Sequence, residues 1–210
     1  VTAPNAALLT LANYAYFGGD ATSSGAGGLI GLLGDHRWLI VANQRWLTNV
    51  QSHIAGTMPL HRMTFSRDTL DIESLRHQAR DVSDATDIVA TDLDISQRMI
   101  TDVADDLIGV FPTPAAFVES GFGYVAIRDG NVLSGATTAM RAAKAIEIQI
   151  TTVENAQRQG LATAVSAALI VHCLERGIEP HWSTTNEPSR SLAEKLGYVM
   201  HGSHETLLRA

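Results

Sequence analysis

The sequence predicts an α/β fold, in which strands and helices alternate along the chain. Between residues 145 and 152, isoleucines alternate with polar residues, which is the two-residue period of a strand. Over residues 161–176, apolar residues recur at helical spacing, and Gly177 marks the end of that helix. The dipeptide Asp129-Gly130 separates two apolar runs and predicts a tight β-hairpin.

Composition limits the class of protein. The chain has 210 residues, of which 45% are hydrophobic and 18% charged, and its formal net charge is −7. Such a chain repels nucleic acid, because that interaction depends on Lys and Arg neutralising phosphates, whereas it is expected to tolerate or attract a cationic amine. The single cysteine, Cys173, excludes an intrachain disulfide and a cysteine-based zinc site and favours a cytoplasmic location. No apolar run reaches the roughly 18 residues of a membrane helix.

The N-terminal region of the chain predicts a small α/β segment. The apolar run 6–17 predicts a helix, and the Gly- and Ser-rich stretch 18–28 predicts a loop. Gly25, Gly27 and Gly31 loosely resemble a dinucleotide-binding fingerprint, but no strand is predicted before them, so a flexible turn is the preferred interpretation. The pattern further predicts strands at 38–42 and 61–65 and helices at 44–56 and 75–80.

The acidic stretch 81–94 is interpreted as the boundary between two regions of the chain, 1–84 and 85–210. In the second region, Asp94 is expected to cap a helix over 95–106, and a turn at 111–114 leads into a short helix that ends at Gly121. Strands are predicted at 88–90, 122–128, 132–140, 145–152, 181–185 and 198–208.

A short loop, 157–162, joins the isoleucine-rich strand to the helix after it. A helix N-terminus leaves backbone N–H groups without partners and has a partial positive charge, so it binds phosphate groups. Gly160 and Ala162 are small enough for an anion to approach the backbone closely, and Gln157 and Arg158 add side-chain donors. The loop is therefore predicted to bind a phosphate-containing ligand.

Two motifs resemble those of the GNAT superfamily of N-acetyltransferases. The loop sequence QRQGLA resembles the signature (Gln/Arg)-x-x-Gly-x-(Gly/Ala), and residues 186–198 (NEPSRSLAEKLGY) resemble the second signature, which ends in Glu-Lys-Leu-Gly and an aromatic residue. In the second motif, Asn186 has the position of a helix N-cap, Pro188 lies in the first turn, and Gly197 ends the helix. The resemblance covers residues 86–210. More narrowly, the chain resembles a bacterial subfamily that includes zwittermicin-resistance acetyltransferases, with Gly19-Asp20 matching an N-terminal Gly-Asp pair.

The resemblance implies a GNAT fold with a mixed central sheet and flanking helices, preceded by the α/β N-terminal segment. Two parallel strands, here 150–152 and 182–185, would splay apart and admit the pantetheine arm of acetyl-CoA. A backbone N–H near Ile150 would bind the thioester oxygen, which gains charge as an amine attacks. For Asn186, a plain helix N-cap is the alternative. The resemblance assigns these residues to the cofactor: Ile150, Thr151, Thr152, Gln157, Arg158, Gln159, Gly160, Leu161, Ala162, Thr163, Asn186 and Ser189.

An acceptor amine must lose a proton before it can attack. Glu147 lies near the position where some GNAT enzymes carry a glutamate as general base, and the alternative is an outward-facing strand carboxylate. Many GNAT enzymes carry a tyrosine as general acid where this chain has Ala193, so another group protonates the thiolate or none is needed. Tyr198 is interpreted as a core residue.

Neither a covalent nucleophile nor a metal site is expected. Cys173 lies inside a predicted helix, where a buried structural thiol is the preferred interpretation. His201 and His204 lack a third ligand nearby. The aspartates between 81 and 106 are interpreted as a solvated face, and the alternative is that they line a pocket for a polycation.

The favoured function is direct transfer of an acetyl group from acetyl-CoA to a primary amine. A small cationic metabolite or antibiotic is the favoured acceptor, and a protein amine is the alternative. The N-terminal segment would shape the acceptor site or form a homodimer contact. One alternative is a GNAT-fold protein that binds acyl-CoA and acts as a sensor or regulator without turnover, which Ala193 supports. A second is a purely structural dimerisation module.

Overall fold

The computed structural model describes residues 4–210 and confirms the α/β class. It divides the chain into two compact units. Unit 1 contains the residues up to Met63 together with Ser203–Ala210, and unit 2 contains Thr64–Gly202. These bounds differ from the predicted division between residues 84 and 85.

The described residues form two sheets, with the hydrogen-bonded orders β1-β2-β3-β11-β4-β10 and β5-β6-β7-β8-β9. The strands are β1 (Ala6–Leu11), β2 (Tyr14–Gly19), β3 (Trp38–Val41), β4 (Thr57–Ser66), β5 (Asp87–Ala90), β6 (Gly123–Arg128), β7 (Asn131–Ala142), β8 (Ala145–Thr152), β9 (Glu179–His181), β10 (Ser183–Thr184) and β11 (Val199–Arg209). The helices are α1 (Ala26–Gly31), α2 (Gln44–His53), α3 (Ile72–Gln78), α4 (Leu93–Asp102), α5 (Pro114–Ser120), α6 (Leu161–Glu175) and α7 (Glu187–Leu196), with short 3-10 helices at Asp105–Ile108 and Glu154–Ala156.

Unit 1 begins with a β-hairpin where the sequence predicted a helix. Strands β1 and β2 pair antiparallel from Ala6↔Gly19 to Leu11↔Tyr14, and Ala12 in the turn adopts a φ of 48°. Phe17 is buried against Trp46, with 5.2 Å between the ring centres, while its neighbours in β2 are less buried. The helix prediction for 6–17 was therefore wrong. It was based on the apolar content of the segment and did not consider that buried and less buried residues alternate along β2, as they do in a strand.

The core of unit 1 lies between its strands and helices α1 and α2. Strand β3 pairs parallel with β2 and antiparallel with β11, so the last strand of the chain completes this unit. Trp46 of α2 is fully buried, and its Nε1 donates a hydrogen bond to the carbonyl of Gly19 (3.0 Å). Asn43 caps α2 by accepting from the backbone N–H of Trp46 (3.1 Å), an interaction that contributes about 1 kcal/mol.

The glycine-rich stretch contains more regular structure than predicted. Strand β2 extends into its first two residues and α1 begins within it at Ala26, although the sequence indicated neither. Asp20 orders the turn between them, because its Oδ1 accepts bonds from the N–H and the hydroxyl of Thr22. Gly27 and Gly31 lie within α1, a helix of only six residues, so their placement does not match a dinucleotide-binding loop.

Unit 2 is built on the sheet β5-β6-β7-β8-β9. Neighbouring strands are antiparallel except β8 and β9, which pair parallel. Helix α6 covers one face, where His172 lies 3.1 Å from the hydroxyl of Tyr124. The other face is called here the α4 face. On it, three residues pack against Val125 and Val132 of the sheet: Met99 of α4, Leu107 of the 3-10 helix and Phe117 of α5.

Local signals in unit 2 agree with the structure in most places. Asp129 and Gly130 have φ values of 50° and 76°, as a two-residue hairpin turn requires. Helix α5 ends at Gly121 and β5 corresponds to the predicted strand at 88–90. Asp92 caps α4, whereas Asp94 was predicted to do so: Asp92 Oδ1 accepts from the N–H of Ile95 (2.8 Å). The Asp94 prediction was wrong because the helix begins two residues earlier than its apolar pattern indicates.

Helix α3 explains why the units divide before residue 84. Its buried Leu75 and the ion pair between Arg76 and Glu175 of α6 (2.8 Å) tie it to unit 2. Gln78 Nε2 also donates to the carbonyl of Lys195 at the end of α7 (3.2 Å). These contacts join residues about 100 positions apart, which the composition of the acidic stretch does not reveal.

Candidate active site

Strand β8 loses its parallel neighbour halfway along its length. The register with β9 runs from Ala145↔Glu179 to Glu147↔His181 and ends there. The next residue, Trp182, turns to the other sheet, where its carbonyl accepts from the N–H of Phe65 in β4 (3.3 Å). A split therefore opens between the second half of β8 and β10, as the sequence predicted for 150–152 and 182–185.

The hydrogen bonds at the two ends of β8 show which backbone groups face this split. The carbonyl of Lys144 accepts from the N–H of Glu179 in β9 (2.7 Å), and the N–H of Val153 donates to the carbonyl of Leu133 in β7 (2.9 Å). Because successive residues of a strand direct their backbone groups to opposite sides, the even-numbered residues point to the split. The N–H of Ile150 thus faces the split, and so does that of Thr152.

The loop after β8 leads into a helix start without a side-chain cap. Arg158 and Gly160 have positive φ values of 64° and 84°, and α6 follows directly at Leu161. Among the described residues, no side chain accepts a hydrogen bond from the first turn of α6. The N–H groups of Leu161, Ala162 and Thr163 therefore face outward from the helix start, where anions bind favourably.

Two of the polar side chains in the loop have hydrogen-bond partners within the protein. Gln157 Nε2 donates to the carbonyl of Thr152 (3.3 Å), and Gln159 Nε2 donates to that of Asn155 (3.2 Å). These two glutamines stabilise the loop, whereas Arg158 is exposed. Arg128, which the sequence did not single out, donates to Gln159 Oε1 (2.8 Å). No short-range signal identifies Arg128, because its partner lies 31 residues away.

Asn186 and Ser189 both have structural partners. Asn186 caps α7, since its side-chain oxygen accepts from the N–H of Ser189 (2.9 Å). The hydroxyl of Ser189 accepts from Trp182 Nε1 (3.2 Å), which fixes the indole where the chain leaves β9. Lys195 of α7 donates to the hydroxyl of Thr163 in α6 (3.2 Å) and so joins the two helices.

Glu147 lies at the apex of the split. Its Oε1 accepts a hydrogen bond from the hydroxyl of Ser183 in β10 at 2.6 Å, and its side chain is half-buried. The contact spans the point where β8 and β10 diverge. Nothing in the local sequence pattern around Ser183 indicates this bond.

A second carboxylate, Asp106, lies on the α4 face of the same strand. It accepts hydrogen bonds from Gln149 Nε2 (2.8 Å) and from the hydroxyl of Thr151 (3.4 Å). Burial raises the pKa of Asp106, and the charge of Asp105 contributes in the same direction. The prediction of a solvated acidic face did not distinguish this residue from its neighbours.

Neither candidate for a proton donor near α7 is free to act as one. Ala193 is fully buried and has no hydroxyl. The hydroxyl of Tyr198 donates to the carbonyl of Pro180 (3.0 Å), and burial raises the pKa of this tyrosine well above its usual value. Tyr198 is a core residue that packs against Trp182, as predicted.

Cys173 is fully buried in α6, and burial raises the pKa of its thiol to about 12. The thiolate that a nucleophile requires is therefore scarce at neutral pH. We expect Cys173→Ala to retain the turnover of the wild type, and we expect native Cys173 to resist iodoacetamide, as mass spectrometry would show. Alkylation of the folded protein within minutes would contradict this assignment.

The sequence profile of the family described as GNAT acetyltransferase matches residues 1–207. The chain belongs to this family. Membership places it in a family of acetyltransferases, whose co-substrate is acetyl-CoA, and confirms the superfamily that the two motifs indicated.

Known proteins similar to this GNAT chain support the assignment. An uncharacterized N-acetyltransferase of Bacillus subtilis, YdfB, is 34% identical over 84 residues, which are 39% of this chain and 32% of that protein. The match thus spans about a third of the relative's length. A GCN5-related N-acetyltransferase-like protein from Streptococcus suis has a TM-score of 0.87 at 27% identity and covers 98% of this chain and 84% of its own. A putative acetyltransferase from Novosphingobium aromaticivorans shares the fold, with a TM-score of 0.64 at 20% identity over 100% of this chain and 90% of its own.

Metal-binding clusters and membrane-spanning helices are both missing from the described region of the chain. Residues 4–210 contain no group of three or more His, Cys, Asp or Glu side chains arranged to hold a metal ion. Over the same residues, the helices are too short or too polar to cross a membrane.

Proposed function

We propose that this protein transfers an acetyl group from acetyl-CoA to a primary amine. The observation that carries the proposal is the split beside β8, which leads directly into a helix start without a side-chain cap from the described residues. An extended arm fits a strand edge with outward-facing N–H groups, and a diphosphate fits the uncapped helix. Family membership supports this interpretation.

The loop residues fit acetyl-CoA. The N–H groups of Leu161, Ala162 and Thr163 would bind the diphosphate, and the exposed Arg158 would add a positive charge beside it. Gly160 and Ala162 keep this approach open, while Gln157 and Gln159 hold the loop in shape. Bound acetyl-CoA would supply the acetyl group as a reactive thioester.

Strand β8 would provide the groups that promote the transfer. The N–H of Ile150 would donate to the carbonyl oxygen that gains charge, while Thr152 would pair with the extended arm. An alkylamine with a pKa near 10.4 must lose its proton, which costs about 4.6 kcal/mol at pH 7. Glu147 would accept this proton. Since a strand rises about 3.3 Å per residue, Glu147 lies roughly 10 Å along the strand from Ile150 and would act through a bridging water.

Asn186 and Ser189 would form the border of the split at the start of α7, next to the bound cofactor. Both are already engaged in fixing the start of α7 and the indole of Trp182. Their role toward the ligand would thus be to hold this border of the split in position. The thiolate would leave without a tyrosine acid, because Ala193 and Tyr198 offer no available proton.

The acceptor proposed is a small cationic amine. The net charge of −7 and the two carboxylates held along β8, Glu147 and Asp106, support a positively charged ligand. The resemblance to zwittermicin-resistance enzymes points in the same direction. A cytoplasmic location, a homodimer, and an N-terminal segment (1–84) distinct from an acetyltransferase domain (85–210) all stay predictions from the sequence.

A thiol-release assay over a panel of primary amines tests the proposal. We expect CoA release that depends on both acetyl-CoA and one class of alkylamine, and no turnover on any amine would contradict it. The alternative is a protein that binds acyl-CoA only as a sensor, which the buried Ala193 favours. Tight CoA binding in calorimetry together with no turnover would establish that alternative.

A further inference from the structure

Asp106 is fixed beside the stretch of β8 where transfer is proposed. Its two hydrogen-bond donors, Gln149 and Thr151, flank Ile150, whose N–H faces the split. Gly135 lies opposite Thr151, and a side-chain carbon at Gly135 would meet Leu107 at 3.1 Å. Thr151 therefore projects to the α4 face, on which Asp106 lies.

Distance along the strand distinguishes the two carboxylates. Gln149 and Thr151 are each one residue, or about 3.3 Å, from Ile150, whereas Glu147 is about 10 Å away. Asp106 is thus held by the immediate neighbours of Ile150. Glu147 is held at the other end, by the hydroxyl of Ser183.

Asp106 has no cationic partner among the described residues. Across residues 4–210, the ion pairs of Lys, Arg and His do not include this carboxylate. Its side chain is exposed, and its two bonds leave acceptor positions open, because a carboxylate accepts about four hydrogen bonds. Although the residue as a whole is exposed, its carboxyl group is partly desolvated, and this desolvation together with the charge of Asp105 raises its pKa. A bound cation would reverse that shift.

Given the proposed function, we infer that Asp106 binds the ammonium group of the acceptor and so selects positively charged amines. The carboxylate receives the ammonium on the α4 face, next to Ile150. The ammonium then loses one proton through the bridging water to Glu147, and the neutral amine remains hydrogen-bonded to Asp106 through one of its remaining N–H groups. Asp106 is in this scheme a specificity-determining residue and not the proton acceptor.

The test compares Asp106→Asn with the wild type at pH 7, using the best alkylamine of the panel. We expect KM for the amine to rise about tenfold or more while kcat stays within about threefold, because a charge-assisted hydrogen bond is lost before the chemical step. Aniline, which is uncharged at this pH, serves as the neutral probe. We expect its KM, or its inhibition constant against the alkylamine, to stay the same in the variant.

Two matched variants complete the experiment. Asp105→Asn removes the same charge from the neighbouring position and should leave KM unchanged, whereas Asp106→Glu should restore part of the affinity. An unchanged KM in Asp106→Asn overturns the inference, and so does a loss confined to kcat or an equal loss with aniline. These results would leave the proposed function intact, provided that the wild type turns over the alkylamine. A wild type without turnover on any amine refutes the proposed function and this inference together.

Discussion

Replacing Gly160 by aspartate should lower the affinity for CoA by about 100-fold or more. A carboxylate beside a bound anion reduces the binding free energy by several kcal/mol, because the two negative charges repel each other. Gly160 precedes the first turn of α6, and its φ of 84° lies in the region that favours glycine. The new carboxylate would lie against the proposed diphosphate position. Isothermal titration with CoA measures the effect directly and requires no acceptor.

Two variants separate charge from backbone strain. Gly177→Asp introduces the same side chain at the other end of α6, where φ is 64° and a side-chain carbon would meet none of the described atoms within 4 Å. Its CoA affinity should stay within about threefold of the wild type, because the site lies a helix length away. Gly160→Ala should have an intermediate affinity. If Gly160→Asp bound CoA as tightly as the wild type, the loop would not be the diphosphate site.

Replacing Glu147 by glutamine should lower kcat at pH 7 by about 10²- to 10⁴-fold, the range typical of a lost general base. The amide keeps an oxygen that can accept the bond from Ser183, so the local structure is retained while proton affinity is lost. The difference in kcat between Glu147→Gln and the wild type should become smaller as the pH rises toward 10. At that pH a large fraction of an alkylamine with a pKa near 10.4 is already uncharged.

The control for this variant is Glu119→Gln, which removes an exposed carboxylate from α5 and should leave kcat unchanged. Ser183→Ala should lower kcat less than Glu147→Gln does, since it removes only the group that orients the carboxylate. Steady-state kinetics from pH 7 to 10 measure both effects. A Glu147→Gln enzyme with wild-type kcat at pH 7 would show that another group accepts the proton.

The sequence predicted best those elements that depend on neighbouring residues. The Asp129-Gly130 turn, the Asn186 cap and the end of α7 at Gly197 each follow from local conformational preferences, and the structure confirms them. Residues 6–17 were mistaken for a helix because an apolar run is compatible with a helix as well as with a β-hairpin. The β-hairpin is favoured by contacts such as Phe17 with Trp46, 29 residues later, which a local pattern does not contain.

In the candidate site, too, features set by neighbouring residues were predicted and features set by distant contacts were not. The loop and the split strands were predicted in the correct places, because the loop is the first sequence motif and each of the two strands comes shortly before one of the motifs. Asp106 was not distinguished from the other aspartates between 81 and 106, and Arg128 was not predicted, since their partners lie 45 and 31 residues away and become neighbours only in the folded sheet. The bond between Ser183 and Glu147 was missed for the same reason.

The placement of β11 has a consequence for protein synthesis. Leu207 is fully buried in the core of unit 1, although the rest of that core comes from residues before Met63. During translation, the first 63 residues emerge from the ribosome long before the strand that pairs with β3. Unit 1 waits with an unfinished sheet edge until translation has passed Leu208.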